Sequence, residues 1–133
     1  MSYTYAQVDK LEDTAKVGSK QCVALVQHCA KAPATSLWGE GKIALGTTSL
    51  TKGTAIATFV GGKYLGHTTG NHAGLYLSQD AGGIWIMDQW LSDATKPKIS
   101  NRYLRKKGKL KNGNFVDPSN NAEARRNYSG KRD

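Results

Sequence analysis

Four short apolar segments, separated by turn-forming residues, follow one another through the middle of the chain. They cover residues 53–60 ("GTAIATFV"), 72–79 ("HAGLYLSQ"), 84–91 ("IWIMDQWL") and 99–106 ("ISNRYLRK"). Segments of this length, bounded by glycine and aspartate, are typical of β-strands. Because tight turns join strands that run in opposite directions, the pattern predicts one antiparallel sheet. We expect one more short strand around Tyr64.

The part of the chain before these segments predicts helices. Residues Tyr5 to Lys16 are compatible with a short helix, and "SKQCVALVQHCAKAP" (19–33) places apolar residues at three-to-four spacing along one stripe. Ser19 is the expected N-cap of this second helix, and Pro33 is its expected end. Residues 34–53 are predicted to be a loop. Helices followed by strands predict an α+β fold, with N-terminal helices packed on an antiparallel sheet.

Positive charge is concentrated at the end of the chain. The 133 residues carry a net charge of +9, and residues 101–133 contain ten Lys and Arg against three Asp and Glu. We therefore predict one domain over residues 1–107 and a basic, loosely ordered C-terminal extension over residues 108–133. Such an extension suits an anionic partner such as a bacterial wall, a membrane surface or nucleic acid. No apolar run reaches the roughly 18 residues that a membrane helix needs, so no membrane insertion is expected.

The two cysteines differ in their positions on the predicted helix. Cys22 lies in the first turn, where free N–H groups and the helix dipole stabilise a thiolate. Cys29 lies near the other end, where a small buried hydrophobic role is expected. Seven helical residues span about 10 Å, which exceeds the roughly 7 Å that a disulfide allows between Cα atoms. No Cys/His spacing fits a zinc site, so we expect neither a metal nor a cofactor.

A reactive thiol needs a base, and His72 is the best placed of the three histidines. His28 lies too far along the helix from Cys22, and His67 lies in a glycine-rich turn. His72 begins a strand, so it is held rigidly. Asp88 orients His72 if the turn between the two strands has an odd number of residues, and the adjacent Gln89 does so if the number is even. We favour Asp88, because a carboxylate stabilises an imidazolium more strongly than an amide does.

Acyl transfer also needs hydrogen-bond donors for the oxyanion of the tetrahedral intermediate. The backbone N–H of Cys22, at the start of the helix, is the predicted donor. A side chain of the N-terminal part of the chain, Tyr5 or Gln21, is a candidate for a second donor.

The order of these motifs resembles a known family. A helix with "QCVALVQ" near its start, a strand that opens with "GNHAGLY" and a strand with "IWIMDQW" are similar to the NlpC-type and CHAP-type cysteine peptidases and amidases of the papain-like superfamily. The resemblance covers residues 19–91. It implies a papain-like NlpC-type fold, with Cys22 as nucleophile, His72 as base and Asp88 (or Gln89) as the orienting residue.

The segments "GTAIATF", "HAGLYL" and "DQW" resemble a narrower group, the small type VI secretion amidase effectors. This resemblance implies an antibacterial toxin that cleaves amide bonds in peptidoglycan peptides in the periplasm of a target bacterium. It also implies secretion machinery and an immunity protein as partners. The N-terminus has no basic-then-apolar signal pattern, so we expect synthesis in the cytoplasm and export by another route.

Two other functions stay open on sequence alone. The same fold supports lipid acyltransferases and other amidases, because a fold does not fix a function. A non-enzymatic, basic nucleic-acid-binding domain is the second alternative, with Tyr103 and Tyr128 beside basic residues as candidate stacking groups. The small number of aromatic residues and the absence of a nucleic-acid-binding motif speak against nucleic acid as a partner.

Overall fold

Six strands form one antiparallel sheet in a computed structural model of the chain, which describes residues 2–66 and 70–130. The sheet has the strand order β1-β6-β2-β3-β4-β5. The strands are β1 Trp38–Ile43, β2 Ala55–Thr58, β3 Ala73–Asp80, β4 Gly83–Asp88, β5 Ser100–Arg105 and β6 Arg125–Gly130. One α-helix, α1 (Cys22–Cys29), occurs in the described part of the chain. The predicted combination of helix and antiparallel sheet is therefore confirmed.

Helix α1 confirms the second predicted helix but is shorter at both ends. Its N-cap is Gln21 in an extended conformation, not Ser19, and no side chain caps it. At the other end Lys31 adopts a left-handed conformation (φ 62°), which ends the helix before Pro33 is reached. The buried face of α1 packs on the sheet through Ala24, Leu25 and Val26.

The first predicted helix, Tyr5 to Lys16, is wrong. Only one short 3-10 helix forms there, at Val8–Leu11. The Tyr5 N–H donates to the carbonyl of Gly53 (2.9 Å), which ties this segment to the loop before β2. Asp13 then takes a left-handed conformation (φ 62°) that no α-helix contains. Tertiary hydrogen bonds thus replace the intrahelical ones, and only one of the expected N-terminal helices packs on the sheet.

Strands β2, β3, β4 and β5 confirm the four predicted segments. The short strand expected around Tyr64 does not form in the described part of that loop. Val60 and Lys63 make an isolated bridge around a turn, and Tyr64 follows with a buried ring. The segment 34–53, predicted to be a loop, contains β1. Its sequence has two glycines and two charged residues, so it does not show the apolar pattern that predicts a strand.

The C-terminal segment is part of the sheet, which corrects the expected loosely ordered extension after residue 107. Strand β6 lies between β1 and β2 and pairs with both, so a boundary at 107 would divide the sheet. Its sequence, "RRNYSG", is too polar to predict a central strand. Its burial rests on two side chains: Tyr128, which stacks on Trp38 at 4.2 Å between ring centroids, and Arg125.

The two faces of the sheet have separate apolar cores. On the α1 side, aromatic rings from several elements pack around Trp38, with Phe59, Tyr64 and Tyr128. The opposite face is covered by aliphatic residues of β2, β4 and β5. Among the described residues, no helix has both the length and the apolar character needed to cross a membrane. The N-terminus of α1 meets the start of β3 and the end of β4, and the candidate site lies at this junction.

Candidate active site

Cys22 is the first residue of α1, and a buried amide fixes the turn that leads into it. Gln89 accepts a hydrogen bond from the Val17 N–H (3.0 Å). Its Nε2 donates to the carbonyls of Val17 (3.1 Å) and Gln21 (2.8 Å). These bonds set the direction of the helix start. Because the first N–H groups of a helix have no intrahelical partner, the N–H of Cys22 is free to face a ligand.

His72 precedes β3, and its main chain is held on both sides. Its N–H donates to Oγ1 of Thr58 (3.1 Å), and its carbonyl accepts from the Thr58 N–H (3.1 Å) and from Nη1 of Arg125 (3.0 Å). The Nε2–H of the buried ring donates to Oδ2 of Asp88 at 2.7 Å. The edge of the Trp90 ring lies beside the imidazole, at 6.2 Å between centroids. Backbone and ring are therefore both immobilised.

A β-bulge in β3 determines which residue of β4 reaches His72. Asp80 pairs with Gly83, so the turn contains two residues, an even number. The register then shifts between Tyr76 and Ser78, where Leu77 is an extra residue on β3. Side chains alternate between the two faces of a sheet. One extra residue on β3 therefore changes which residues of β4 share a face with the residues of β3 beyond the bulge.

Beyond the bulge, Leu75 pairs with Met87, and the side chains of His72 and Asp88 therefore share a face of the sheet. Without the bulge, the two-residue turn would have placed Gln89 on that face. The structure brings Asp88 to His72 and leaves Gln89 on the opposite face, against the segment before α1.

Asp88 is fully buried and contacts three cationic side chains. His72 Nε2 and Arg102 Nε each lie 2.7 Å from Oδ2, and Lys96 Nζ lies 2.9 Å from Oδ1. Burial by itself would raise the pKa of Asp88. The hydrogen bond from His72 and the positive charges of His72, Arg102 and Lys96 outweigh burial and hold the pKa of Asp88 well below its usual range. Asp88 is therefore a carboxylate at neutral pH, and it accepts the hydrogen bond that orients the His72 ring.

The thiol of Cys22 is activated by its neighbours. Burial alone would raise its pKa, but the hydrogen bond and charge of His72 oppose burial, as do hydrogen bonds from Tyr64 and from the backbone N–H of Ala73. The net effect lowers the pKa of Cys22 from 9.0 to about 7. Because Asp88 engages Nε2 of His72, Nδ1 is the ring nitrogen available to the sulfur. The thiolate form of Cys22 is therefore accessible near neutral pH.

Cys29 has no comparable environment. It is half-buried at the last residue of α1, and burial raises its pKa, with a smaller opposite effect from the charge of Lys31. Both cysteines are free thiols. The contrast between the two thiols arises from the neighbours of Cys22 and from the burial of Cys29.

Tyr64 supplies a hydroxyl that the sequence interpretation missed. Its Oη lies 3.6 Å from Sγ of Cys22. Burial, followed by the charge and hydrogen bond of Cys22, raises the pKa of Tyr64 far above its usual range, so the hydroxyl keeps its proton and donates. Of the donors expected from the N-terminal part, Gln21 lines the same cleft, whereas Tyr5 packs against the core. The only signal for Tyr64 in the sequence is an aromatic residue within a glycine-rich turn.

The cleft over Cys22 and His72 has a volume of about 730 Å³. Its described lining combines apolar, amide and hydroxyl groups with one guanidinium: Gln21, Cys22, Val23, Thr35, Tyr64, Gly66, Asn71, His72, Trp90, Leu91, Arg102, Ser119 and Asn120. A cleft of this size accommodates a short peptide segment.

The C-terminal segment holds the main chain of the site through Arg125. Arg125, the first residue of β6, is completely buried, and it donates to the carbonyls of His72 and Ser119. Burial lowers the pKa of Arg125 to about 10, so the side chain remains cationic at neutral pH. Arg125, Arg102 and Lys96 were not predicted as site residues, because each reaches the site from an element whose place in the sheet the sequence does not reveal.

His28 is not among the residues that line this cleft. His28 is exposed on α1, and His67 lies outside the described residues. Within residues 2–66 and 70–130, no group of three His, Cys, Asp or Glu side chains is arranged to hold a metal ion. The cleft thus brings together a thiol, an imidazole and a carboxylate, the groups that covalent acyl transfer can use.

Comparison with known proteins places the chain in a family. The family described as domesticated amidase effector 2 (Dae2) matches residues 4–118. A type VI secretion amidase effector 2 protein of Salmonella typhi is 48% identical over 128 residues, covering 93% of this chain and 96% of that protein. A solved structure of type 6 secretion amidase effector 2 (Tae2) matches with a TM-score of 0.91 and 44% identity, covering 98% of this chain and 96% of that one. By sequence and by fold, the chain belongs to the amidase effector 2 family.

Proposed function

We propose that this protein is a cysteine-dependent amidase that cleaves an amide bond in peptidoglycan peptides. Its relatives are named type VI secretion amidase effectors, which supports an antibacterial effector acting in the periplasm of a target bacterium. The observation that carries the cysteine chemistry is the activated thiol of Cys22, which interacts with a His72 ring held by Asp88. The order of these three residues along the chain also supports a papain-like, NlpC-type relationship.

In the first half-reaction, the thiolate of Cys22 attacks the carbonyl carbon of the scissile amide. The negative charge moves to the carbonyl oxygen, where the N–H of Cys22 and the hydroxyl of Tyr64 are the available donors. The tetrahedral intermediate collapses to a thioester as the C–N bond breaks. Imidazolium His72 gives its proton to the departing amine, and Asp88 keeps the ring in the required orientation.

In the second half-reaction, a water molecule replaces the amine. His72, now neutral, takes a proton from the water while the oxygen attacks the thioester carbonyl. Collapse of the second tetrahedral intermediate releases a carboxylic acid product and returns the thiolate–imidazolium pair. The residues of this chain suffice for both steps, and each proton that His72 accepts is returned in the same cycle.

The alternative functions have less support from the structure. Arg125, a basic residue of the C-terminal segment, is completely buried and holds the main chain of His72. Its charge is therefore not free to contact a nucleic acid. A lipid acyltransferase would use the same three residues and differs in substrate alone.

Two matched cysteine variants test the proposal. Cys22→Ala should abolish the release of new muropeptides from purified peptidoglycan and leave the unfolding temperature near that of the parent. Cys29→Ala should retain cleavage and chiefly lower stability, because it removes a packed side chain. Equal cleavage by Cys22→Ala and the parent would remove the cysteine mechanism. Cleavage of phospholipid vesicles but not of peptidoglycan by the parent would favour the lipid alternative. Co-purification with an immunity protein would add support for the effector role.

A further inference from the structure

Arg102 on β5 gives the cleft its electrostatic character. Of the described residues that line the cleft, Arg102 is the only one with a permanent charge, and none is acidic. Its side chain is 22% exposed, whereas the Asp88 side chain beneath it is fully buried. A substrate in the cleft therefore meets a guanidinium and no exposed carboxylate.

The guanidinium is held in one orientation. Nε donates to Oδ2 of Asp88 (2.7 Å), Nη1 to Oδ1 of Asn120 (2.7 Å) and Nη2 to the carbonyl of Ser119 (3.3 Å). The Trp90 ring lies beside it, 5.2 Å from Cζ to the centroid. A guanidinium has five N–H donors, and these contacts use three of them. Arg102 is thus pre-organised and retains donor capacity toward the cleft.

The charges around the site favour a negatively charged substrate group. Lys96 and Arg125 lie near Arg102, and Asp88 is the one carboxylate among them in the described structure. Another acid, Asp117, binds Lys107 (2.8 Å) and Asn120 and does not line the cleft. The three positive charges of Lys96, Arg102 and Arg125 exceed the single negative charge of Asp88. An anion is therefore attracted to the exposed part of Arg102.

Arg102 also lies close to the reacting groups. Its Nε and the Nε2 of His72 contact the same oxygen of Asp88, each at 2.7 Å. A substrate group bound by the guanidinium would therefore be only a residue or so away from the amide carbonyl attacked by Cys22. Peptidoglycan stem peptides carry free carboxylates along their length, which gives a suitable group at that separation.

We propose that Arg102 binds a free carboxylate of the substrate peptide beside the scissile amide, and so selects peptides in which that carboxylate is not amidated. This inference rests on the proposed peptidoglycan amidase function. Hydrogen bonds from a charged guanidinium to a carboxylate are roughly twice as strong as neutral ones, so the N–H groups of Arg102 that Asp88, Asn120 and Ser119 do not use favour a carboxylate over a neutral amide.

The test compares two substrate pools that differ only in carboxylate charge. One is a pool of soluble, cross-linked muropeptides, and the other is the same pool after carbodiimide-mediated amidation of its carboxylates with ammonia. For the parent, we expect kcat/KM to be at least about tenfold higher on the untreated pool. Equal cleavage of the two pools would overturn the role of Arg102 and leave the amidase function standing. Cleavage of neither pool would instead count against the proposed function.

Lys96→Met is the matched control for Arg102→Met. Lys96 also contacts Asp88 and the Trp90 ring, but it is buried and does not line the cleft. Arg102→Met should raise KM on the untreated pool and bring the two pools to within about twofold of each other, whereas Lys96→Met should lower both rates by the same factor. An unchanged ratio in Arg102→Met, with Cys22 still reactive toward iodoacetamide as proof of an intact site, would refute the proposal.

Discussion

Alkylation of Cys22 should titrate with a midpoint near pH 7, two pH units below an ordinary cysteine. A shift of that size corresponds to roughly 3 kcal/mol of preferential stabilisation of the thiolate in its folded surroundings. The sign follows from the depressed pKa: the thiolate is lost as the pH falls through about 7, so alkylation and amidase activity both decline below that pH. Cys29, whose pKa is raised, should react only at clearly higher pH.

The rate advantage of Cys22 at pH 7 is smaller than its thiolate fraction suggests. About half of Cys22 is thiolate there, against roughly 1% for a thiol with a pKa of 9. A thiolate of lower pKa is also a weaker nucleophile. Its alkylation rate falls by close to tenfold when the pKa is two units lower. The net expectation at pH 7 is alkylation of Cys22 about sixfold faster than of a thiol with a pKa of 9, before any difference in access. The advantage over Cys29 is larger, because burial raises the pKa of Cys29.

The assay is iodoacetamide labelling from pH 5 to 10, with each cysteine followed separately by peptide mass spectrometry. A His72→Gln variant is the control, since His72 makes the largest contribution that lowers the pKa of Cys22. In that variant the midpoint for Cys22 should move upward toward 9. The reasoning is refuted if the two cysteines of the parent titrate together near pH 9, or if loss of the imidazole leaves the Cys22 midpoint in place.

Three further changes probe the support of the site. Asp88→Asn should lower kcat severely and reduce the free energy of unfolding in urea by about 3–5 kcal/mol, because the cationic side chains around Asp88 lose their carboxylate. A loss below about 1 kcal/mol would contradict a stabilising role for Asp88. Tyr64→Phe should reduce kcat by about tenfold to a hundredfold with little change in KM or folding, and unchanged kcat would remove Tyr64 from the oxyanion site. Tyr128→Phe should leave stability unchanged or raise it, since the buried hydroxyl has no hydrogen-bond partner among the described residues. Tyr128→Ala should instead lower the free energy of unfolding by about 3–5 kcal/mol, as followed by thermal unfolding.

The local patterns of the sequence were sufficient wherever an element owes its form to its own residues. The apolar stripe of α1 and the short apolar segments of β2 to β5, bounded by turn residues, predict those elements, because their own residues supply the apolar surface that is buried. The segment from Tyr5 to Lys16 has a helix-compatible composition, and it fails to form one because its backbone bonds to the loop before β2. Strand β6 was missed for a related reason, since its polar sequence is stabilised by neighbours distant in the chain.

The candidate site divides in the same way. The sequence by itself placed Cys22 near a helix start and His72 at the edge of a strand, because the apolar segments that follow both residues mark these elements. The predicted cap at Ser19 does not form, and β3 begins one residue after His72. The sequence left the choice between Asp88 and Gln89 undecided. Which of them shares a face with His72 depends on whether the turn and any bulge together contain an odd or an even number of residues. The bulge at Leu77 decided in favour of Asp88, and only the packing of β3 against its neighbours fixes where a strand accommodates an extra residue. The same holds for Arg102 and Arg125, which reach one carboxylate and one histidine from strands that the tertiary structure alone brings together.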